Sequence, residues 1–237
     1  MVRPLLAALA AALLLAGCSG GDRPSTSAQG TTTTVADEDL PPEVDAFLER
    51  AAAGEDASFS ASYDVLRKLG GVTSTAEVVA GPGGARITIG DLVVLTGDHP
   101  ATCRTSAEAC VGEVREDQLG QYGIFSRFWS SGPADALRTV VRRDDDGTPV
   151  TSTRTAAGVA LECIAVPVGR SLPSTSCITP DGVFGFVDNP SVHYELSDYR
   201  VGAPPSGTLD VPYPLTDDDG FLAELGQTAQ PRAPGRR

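Results

Sequence analysis

Residues 59–90 read FSASYDVLRKLGGVTSTAEVVAGPGGARITIG, and the reading of this stretch decides the fold. Phe59, Ala61, Tyr63 and Val65 fall on one face of an extended chain, with Ser60, Ser62 and Asp64 on the other. Successive side chains of a strand point to opposite sides, so this alternation predicts a half-buried β-strand. The segments VTSTAEVVA (72–80), GARITIG (84–90) and DLVVLT (91–96) continue in the same manner, punctuated by GPGG (81–84) and by Gly90-Asp91. Turn residues at such short intervals predict a meander of antiparallel strands.

Upstream, PPEVDAFLERAAAGED (41–56) places Val44, Phe47, Leu48 and Ala51 at helical spacing, with proline at its start and Gly54 as its stop; a short amphipathic helix is expected. Downstream, EDQLGQYGIFSRFWSSGPADALRTVVRR (116–143) carries Leu119, Tyr122, Ile124, Phe125, Phe128 and Trp129, then a Gly-Pro break, then Ala134, Leu137, Val140 and Val141. This predicts two helices, the first spanning Tyr122–Trp129. A second run of strands follows in VTSTRTAA (150–157), VALECIAVPV (159–168), SCITPDGVFGFVD (176–188) and SVHYELSDYRVG (191–202), with Asp181-Gly182 as a hairpin turn. The order helix, strands, helices, strands defines an α+β fold: a curved antiparallel sheet packed around a few helices. Asp144-Asp145-Asp146-Gly147 lacks the ligand spacing of a calcium loop and reads as a solvated turn, as does Asp217-Asp218-Asp219.

At the front of the chain Arg3 is followed by an apolar run from Leu5 to Leu15 and then by Ala16, Gly17 and Cys18. This is the grammar of an export signal, and about eleven apolar residues at ~1.5 Å each fall well short of a ~30 Å hydrocarbon core. Leu15-Ala16-Gly17-Cys18 resembles the bacterial lipobox. The resemblance implies cleavage after residue 17, acylation of Cys18 and a membrane-anchored location on the extracytoplasmic side. Residues 18–40 are rich in Ser, Thr, Gly and Asp, too polar to offset the entropy of ordering, and are expected to be a disordered tether with a typical reach of about 25 Å.

The remaining cysteines, Cys103, Cys110, Cys163 and Cys177, are even in number in a chain read as exported, which points to disulfides. Four cysteines permit three connectivities, and the local pairing Cys103–Cys110 with Cys163–Cys177 suits neighbouring strands. Zinc is disfavoured, because no CxxC is present and His99 and His193 sit at no usual ligand spacing. A formal net charge of −13 repels nucleic-acid phosphate and anionic headgroups.

FSASYDVLRKLGGVTSTAEVVAGPGGARITIG, with the later LECIAVPV, SCITPDGVFGFVD and YELSDYRVGAPPSGTLDVPYP, resembles the lipoprotein-carrier (LolA-like) half-barrel superfamily over residues 41–214. The resemblance implies a half-barrel whose concave face holds an acyl chain or another apolar ligand, with residues 215–237 as a disordered tail. Phe59, Tyr63, Val79, Ile87, Phe125, Phe128 and Trp129 are the expected lining. No GxSxG, HExxH, SxxK or phosphate-binding glycine loop occurs, so catalysis, cofactors and metals are not expected. Two functions remain: a lipoprotein that binds a lipid or acyl chain for transport or sensing, and a packed lipoprotein whose acidic surface docks an envelope protein. The volume left beneath the sheet separates them.

Overall fold

The computed structural model describes residues 40–143, 148–168, 173–217 and 220–222. Cys18, the expected tether as far as residue 39 and the Asp144–Gly147 turn lie outside the described residues. The described elements are α1 (Pro42–Ala52), β1 (Phe59–Arg67), β2 (Val72–Gly81), β3 (Gly84–Ile89), β4 (Leu92–Leu95), β5 (Ala101–Arg104), β6 (Ala109–Val111), α2 (Glu116–Gly120), α3 (Ser131–Arg143), β7 (Val150–Ala156), β8 (Val159–Val166), β9 (Ser174–Ile178), β10 (Phe184–Asp188) and β11 (Val192–Val201).

The strands form one antiparallel sheet of 11 strands in the order β6-β5-β4-β3-β2-β1-β11-β10-β9-β8-β7. The N-terminal and C-terminal meanders join where β1 pairs with β11, Phe59 opposite Val201 and Arg67 opposite Val192. The alternation read from residues 59–65 is realised: Phe59, Ala61, Tyr63 and Val65 are buried, and the intervening residues face outward. β7 and β11 are separated in the ladder by three strands, yet the Arg154 guanidinium of β7 lies 3.6 Å from the Phe186 ring centroid and 2.6 Å from Glu195 of β11. Only a strongly curled sheet brings such strands together.

Helix α1 closes one part of the concave face. Its Val44, Phe47, Leu48 and Ala51 are buried, with the Phe47 ring edge-on to Phe184 at 6.1 Å, and each large apolar side chain taken from water contributes about 1.5–3 kcal/mol. The end of α1 reaches the 179–183 hairpin backbone to backbone. A Cβ at Gly54 would stand 2.3 Å from the Gly182 carbonyl oxygen, and one at Gly182 would meet the Arg50 carbonyl oxygen at 2.5 Å. Glycine is needed at both positions because two main chains occupy the space of a side chain.

The middle of the chain departs from expectation. Residues 121–130 form successive turns instead of a Tyr122–Trp129 helix, closed by Tyr122 N–H to Leu119 O, Phe128 N–H to Phe125 O and Ser130 N–H to Arg127 O. Gly123, at φ +84, breaks the helical path. Helix α3 starts at Ser131, ahead of the Gly-Pro pair, because proline is tolerated in a first turn where its missing N–H has no intrahelical partner. The chain also packs beyond the expected boundary at 214. Leu215 bridges Cys110 of β6 in parallel, Leu222 is buried, and its carbonyl accepts a hydrogen bond from Arg104 at 3.0 Å.

Candidate functional site

The concave face of the sheet is built to receive something, and the chain itself fills it. Residues 119–137 lie within the curve and contribute Leu119, Ile124, Phe128, Trp129, Ala134 and Leu137 to the same buried cluster as Tyr63, Val65, Ile87, Ile89 and Tyr194 of the strands. At the centre Phe128 stands edge-on to Tyr63 (5.0 Å), Tyr194 (5.3 Å) and Trp129 (5.4 Å), and Trp129 in turn to Phe59 (6.4 Å). Edge-to-face pairs at these separations add about 0.5–1.5 kcal/mol each beyond the area they bury. Polar bonds fix the segment in place: the Tyr194 hydroxyl donates to the Phe128 carbonyl at 2.5 Å, and the Phe184 N–H donates to the Trp129 carbonyl at 2.8 Å. Burial pushes the Tyr63 and Tyr194 phenols well above their ordinary pKa, each aided by a neighbouring tyrosine.

Of the lining residues read from the sequence, Phe59, Tyr63, Ile87, Phe128 and Trp129 come together here, all 5% exposed or less. Val79 does not join them. Val78 is the buried neighbour in β2, and Val79 points to the opposite face, where it pairs with Arg86. Phe125 sits at the rim, 39% exposed, with its ring over the Gly132 backbone.

Two of the spaces among the described residues border the filled concavity. Between α3 and strands β9–β11 an apolar pocket lined by Phe125, Leu137, Val187, Val192 and Tyr194 holds about 40 Å³, little more than the volume one water molecule occupies in the liquid. At the rim a larger cleft of about 540 Å³ runs between Glu55 and Asp56, the Gly81–Gly84 turn, Thr96-Gly97, and Arg127, Trp129 and Ser130. Its lining mixes carboxylate, guanidinium, main-chain and aromatic groups. The residues of the turns belong to fold-making contacts, since Gly84 lies against the Thr96 carbonyl; the sequence showed GPGG only as a turn, and nothing in it paired that turn with Arg127.

The cysteines pair locally. Cys103–Cys110 joins β5 to β6 and Cys163–Cys177 joins β8 to β9. The first lies in a second small cluster with Val93, Leu95 and Ala101, covered by Val211 and Tyr213 of the C-terminal strap. His193 is one-third exposed, 3.6 Å from Asp188, whose carboxylate also meets Lys68 at 2.5 Å. His99 is exposed in a turn. Among the described residues no three His, Cys, Asp or Glu side chains gather as a metal site, and no helix is long and apolar enough to cross a membrane.

The outer face of the central strands is acidic. Ser62 of β1 stands between Glu77 of β2 and Asp198 of β11, and Asp64 stands opposite Glu195. Arg154 and Arg200 neutralise Glu195 and Asp198; among the described residues Asp64 and Glu77 have no ion-pair partner.

The architecture defines an α+β protein with one open, curled antiparallel sheet. No protein-family model matches the chain. No curated protein matches it either. Among solved structures it is similar to MucB, at 16% identity and a TM-score of 0.45, over 72% of this chain and 63% of that one. It is similar to the MucA/MucB complex of Pseudomonas aeruginosa at 16% identity and a TM-score of 0.40, over 71% and 61%. A LolA superfamily protein from Nitrosomonas europaea is similar at 9% identity and a TM-score of 0.31, over 68% and 94%. The chain spans about six-tenths of the MucB chains it matches. At such distance these are likenesses of outline, and the function proposed below rests on this chain's own geometry.

Proposed function

We propose that this protein is a non-enzymatic, extracytoplasmic lipoprotein, anchored through acylated Cys18, that works by docking an envelope protein on its acidic outer face. The observation that carries the docking half of this reading is the filled concavity. A site for an acyl chain needs a dry apolar volume of roughly 300–1,000 Å³, and the apolar pocket here holds about 40 Å³. The interior space is occupied by Leu119, Ile124, Phe128 and Trp129. The outer face supplies complementary chemistry for a basic segment. Arg154 already offsets Glu195 opposite Asp64, which leaves Asp64 and Glu77 as the carboxylates without an ion-pair partner among the described residues for a cationic segment to meet.

The test has two arms. The exported chain carrying Cys18→Ser is purified without detergent and weighed intact by native mass spectrometry, with its melting temperature read against added envelope lipids. Docking expects the bare protein mass and no shift. A photo-cross-linker at Glu77 is expected to trap one adduct of fixed mass in living cells, lost when Asp64→Lys and Asp198→Lys are combined. Acyl lipid bound at about one per chain, with a rise in melting temperature, overturns docking in favour of a carrier. Absence of acyl mass on wild-type Cys18 overturns the anchor.

One observation favours a second reading. The 540 Å³ rim cleft, with Trp129 in its wall and Glu55, Asp56 and Arg127 around it, is large enough for the polar head of an amphiphile. A melting-temperature rise with soluble headgroup analogues, abolished by Arg127→Ala, supports it.

A further inference from the structure

The two edges of the sheet are treated differently. At the β6 edge, Cys110 donates its N–H to the Pro214 carbonyl at 3.0 Å and accepts from the Thr216 N–H at 2.8 Å, so the C-terminal strap occupies that edge. At the other end, β7 reads VTSTRTA, and Val150 through Thr153 and Thr155 are exposed. No described residue pairs with its outer side. Edge strands are normally blunted by lysine, proline, an inward charge or a cover, because a bare edge is a template for another strand. β7 has none of the first two within its span, and its one charge, Arg154, is held by Glu195 and the Phe186 ring.

The register tells which backbone groups are offered. Cys163 and Cys177 face each other at a Cα–Cα distance of 3.9 Å, the closer spacing of a non-hydrogen-bonded pair. The main-chain groups of Cys163 therefore turn away from β9 toward Ser152 of β7, its partner on the other side. It follows by alternation that Ser152 and Arg154 bond inward to β8. Thr151, Thr153 and Thr155 direct their N–H and C=O groups out of the sheet.

These three positions are symmetric about Thr153. In an antiparallel pairing of β7 with β7 around a twofold axis through Thr153, Thr153 meets Thr153, Thr151 meets Thr155, Ser152 meets Arg154 and Val150 meets Ala156. Each outward-facing residue then meets another outward-facing residue, so every pair that must exchange hydrogen bonds has donors and acceptors in place. Threonine pairs are favourable across strands, and Arg154 meets Ser152, which avoids a clash of like charges. This is the self-complementarity that a twofold interface requires. The geometry points to a second copy of this chain as the occupant of the β7 edge, joined through Thr151, Thr153 and Thr155 into a sheet continuous across both copies. The pairing is independent of the docking face proposed above, which lies on β1, β2 and β11. A charge of −13 on each copy opposes association, so the dimer strengthens as salt screens that repulsion.

The test uses the exported full chain with Cys18→Ser, in which acyl-driven association is removed. Sedimentation velocity from low to high micromolar concentration, at 0.05 and 0.5 M salt, is expected to show a monomer–dimer equilibrium that tightens with salt. Amide exchange is expected to slow at Thr151, Thr153 and Thr155 as concentration rises. Thr153→Pro deletes an N–H that β8 does not use, a position where edge strands tolerate proline, and is expected to weaken the dimer at least about tenfold with the melting temperature retained. Thr153→Glu keeps the N–H, sets two carboxylates against each other at the axis and is expected to act the same way, so a folding defect in the proline variant does not leave the matter open. A monomer at all concentrations and salts overturns the proposal. So does a dimer indifferent to both substitutions, or protection of Thr153 that appears only when another envelope protein is added.

Discussion

Phe128→Ala tests the filled concavity directly. The side chain is fully buried and meets three aromatic rings at 5.0–5.4 Å. Its removal forfeits the transfer energy of the ring and leaves a void that Tyr63 and Tyr194, each held in strands on the opposite wall, do not collapse to fill. Phe-to-Ala changes in cores cost about 3–5 kcal/mol, and loss of three edge-to-face contacts puts this one at the upper end, about 4–5 kcal/mol. For a domain of this size that is a fall in melting temperature of about 8–20 °C. Trp129, the only tryptophan of the chain and 5% exposed, reports unfolding by its fluorescence in guanidinium. The same void is apolar, so a small aromatic such as benzene is expected to bind the variant, raise its melting temperature and leave the parent protein unchanged. A loss under about 1.5 kcal/mol, or an equal response of parent and variant to benzene, refutes the view that the interior is a packed core.

Replacing Cys163 and Cys177 by serine is expected to cost about 3 kcal/mol, and replacing Cys103 and Cys110 about 2.5 kcal/mol, from the 14- and 7-residue separations they close; denaturant titration of the two double variants ranks them. Alkaline stability has a defined window. Burial chiefly, with Asp181 nearby, pushes Tyr199 up to about 12, and burial also holds Tyr63 and Tyr194 well above their ordinary value. The folded chain then retains protons that the unfolded chain releases near pH 10. Stability is full below pH ~10 and falls as pH rises from ~10 through ~12, which short-time urea unfolding at stepped pH measures. Arg104→Ala removes a buried guanidinium that donates to the Leu222 carbonyl at 3.0 Å and pairs with Asp91 at 3.4 Å. It is expected to free the strap, making the chain near residues 215–222 a site of limited proteolysis while β1–β5 stay resistant.

Several parts of this molecule are legible in its sequence. Period-two alternation in residues 59–65 places Phe59, Tyr63 and Val65 inward, the Asp181-Gly182 residues mark the hairpin turn, and the local cysteine pairs are one of the three connectivities the sequence allows. Val79 belongs to the outward set, and the sequence carries the signal: period-two alternation puts it on the face of Thr73, Thr75 and Glu77, while Val78 shares the inward face of Ala76 and Ala80 and pairs with Ile87. The helix expected over Tyr122–Trp129 failed for a different reason. Its apolar residues are dense enough to satisfy a helical pattern, and the segment instead folds as turns because Gly123 takes a left-handed conformation and three rings from β1 and β11 hold Phe128 and Trp129 where they are.

By itself the sequence determined the local order: which segments extend, where they turn and which cysteines lie within reach of each other. These depend on neighbours a few residues apart, and the chain carries that information in its periodicity. Tertiary structure alone decided that residues 119–137 occupy the concavity, that the strap covers β6 and that no other described residue pairs with the outer side of β7. Each of those outcomes is set by contacts between residues as far apart as Arg104 and Leu222 or Phe59 and Trp129. Burial and edge pairing depend on what lies across the fold, and no periodicity along the chain encodes that.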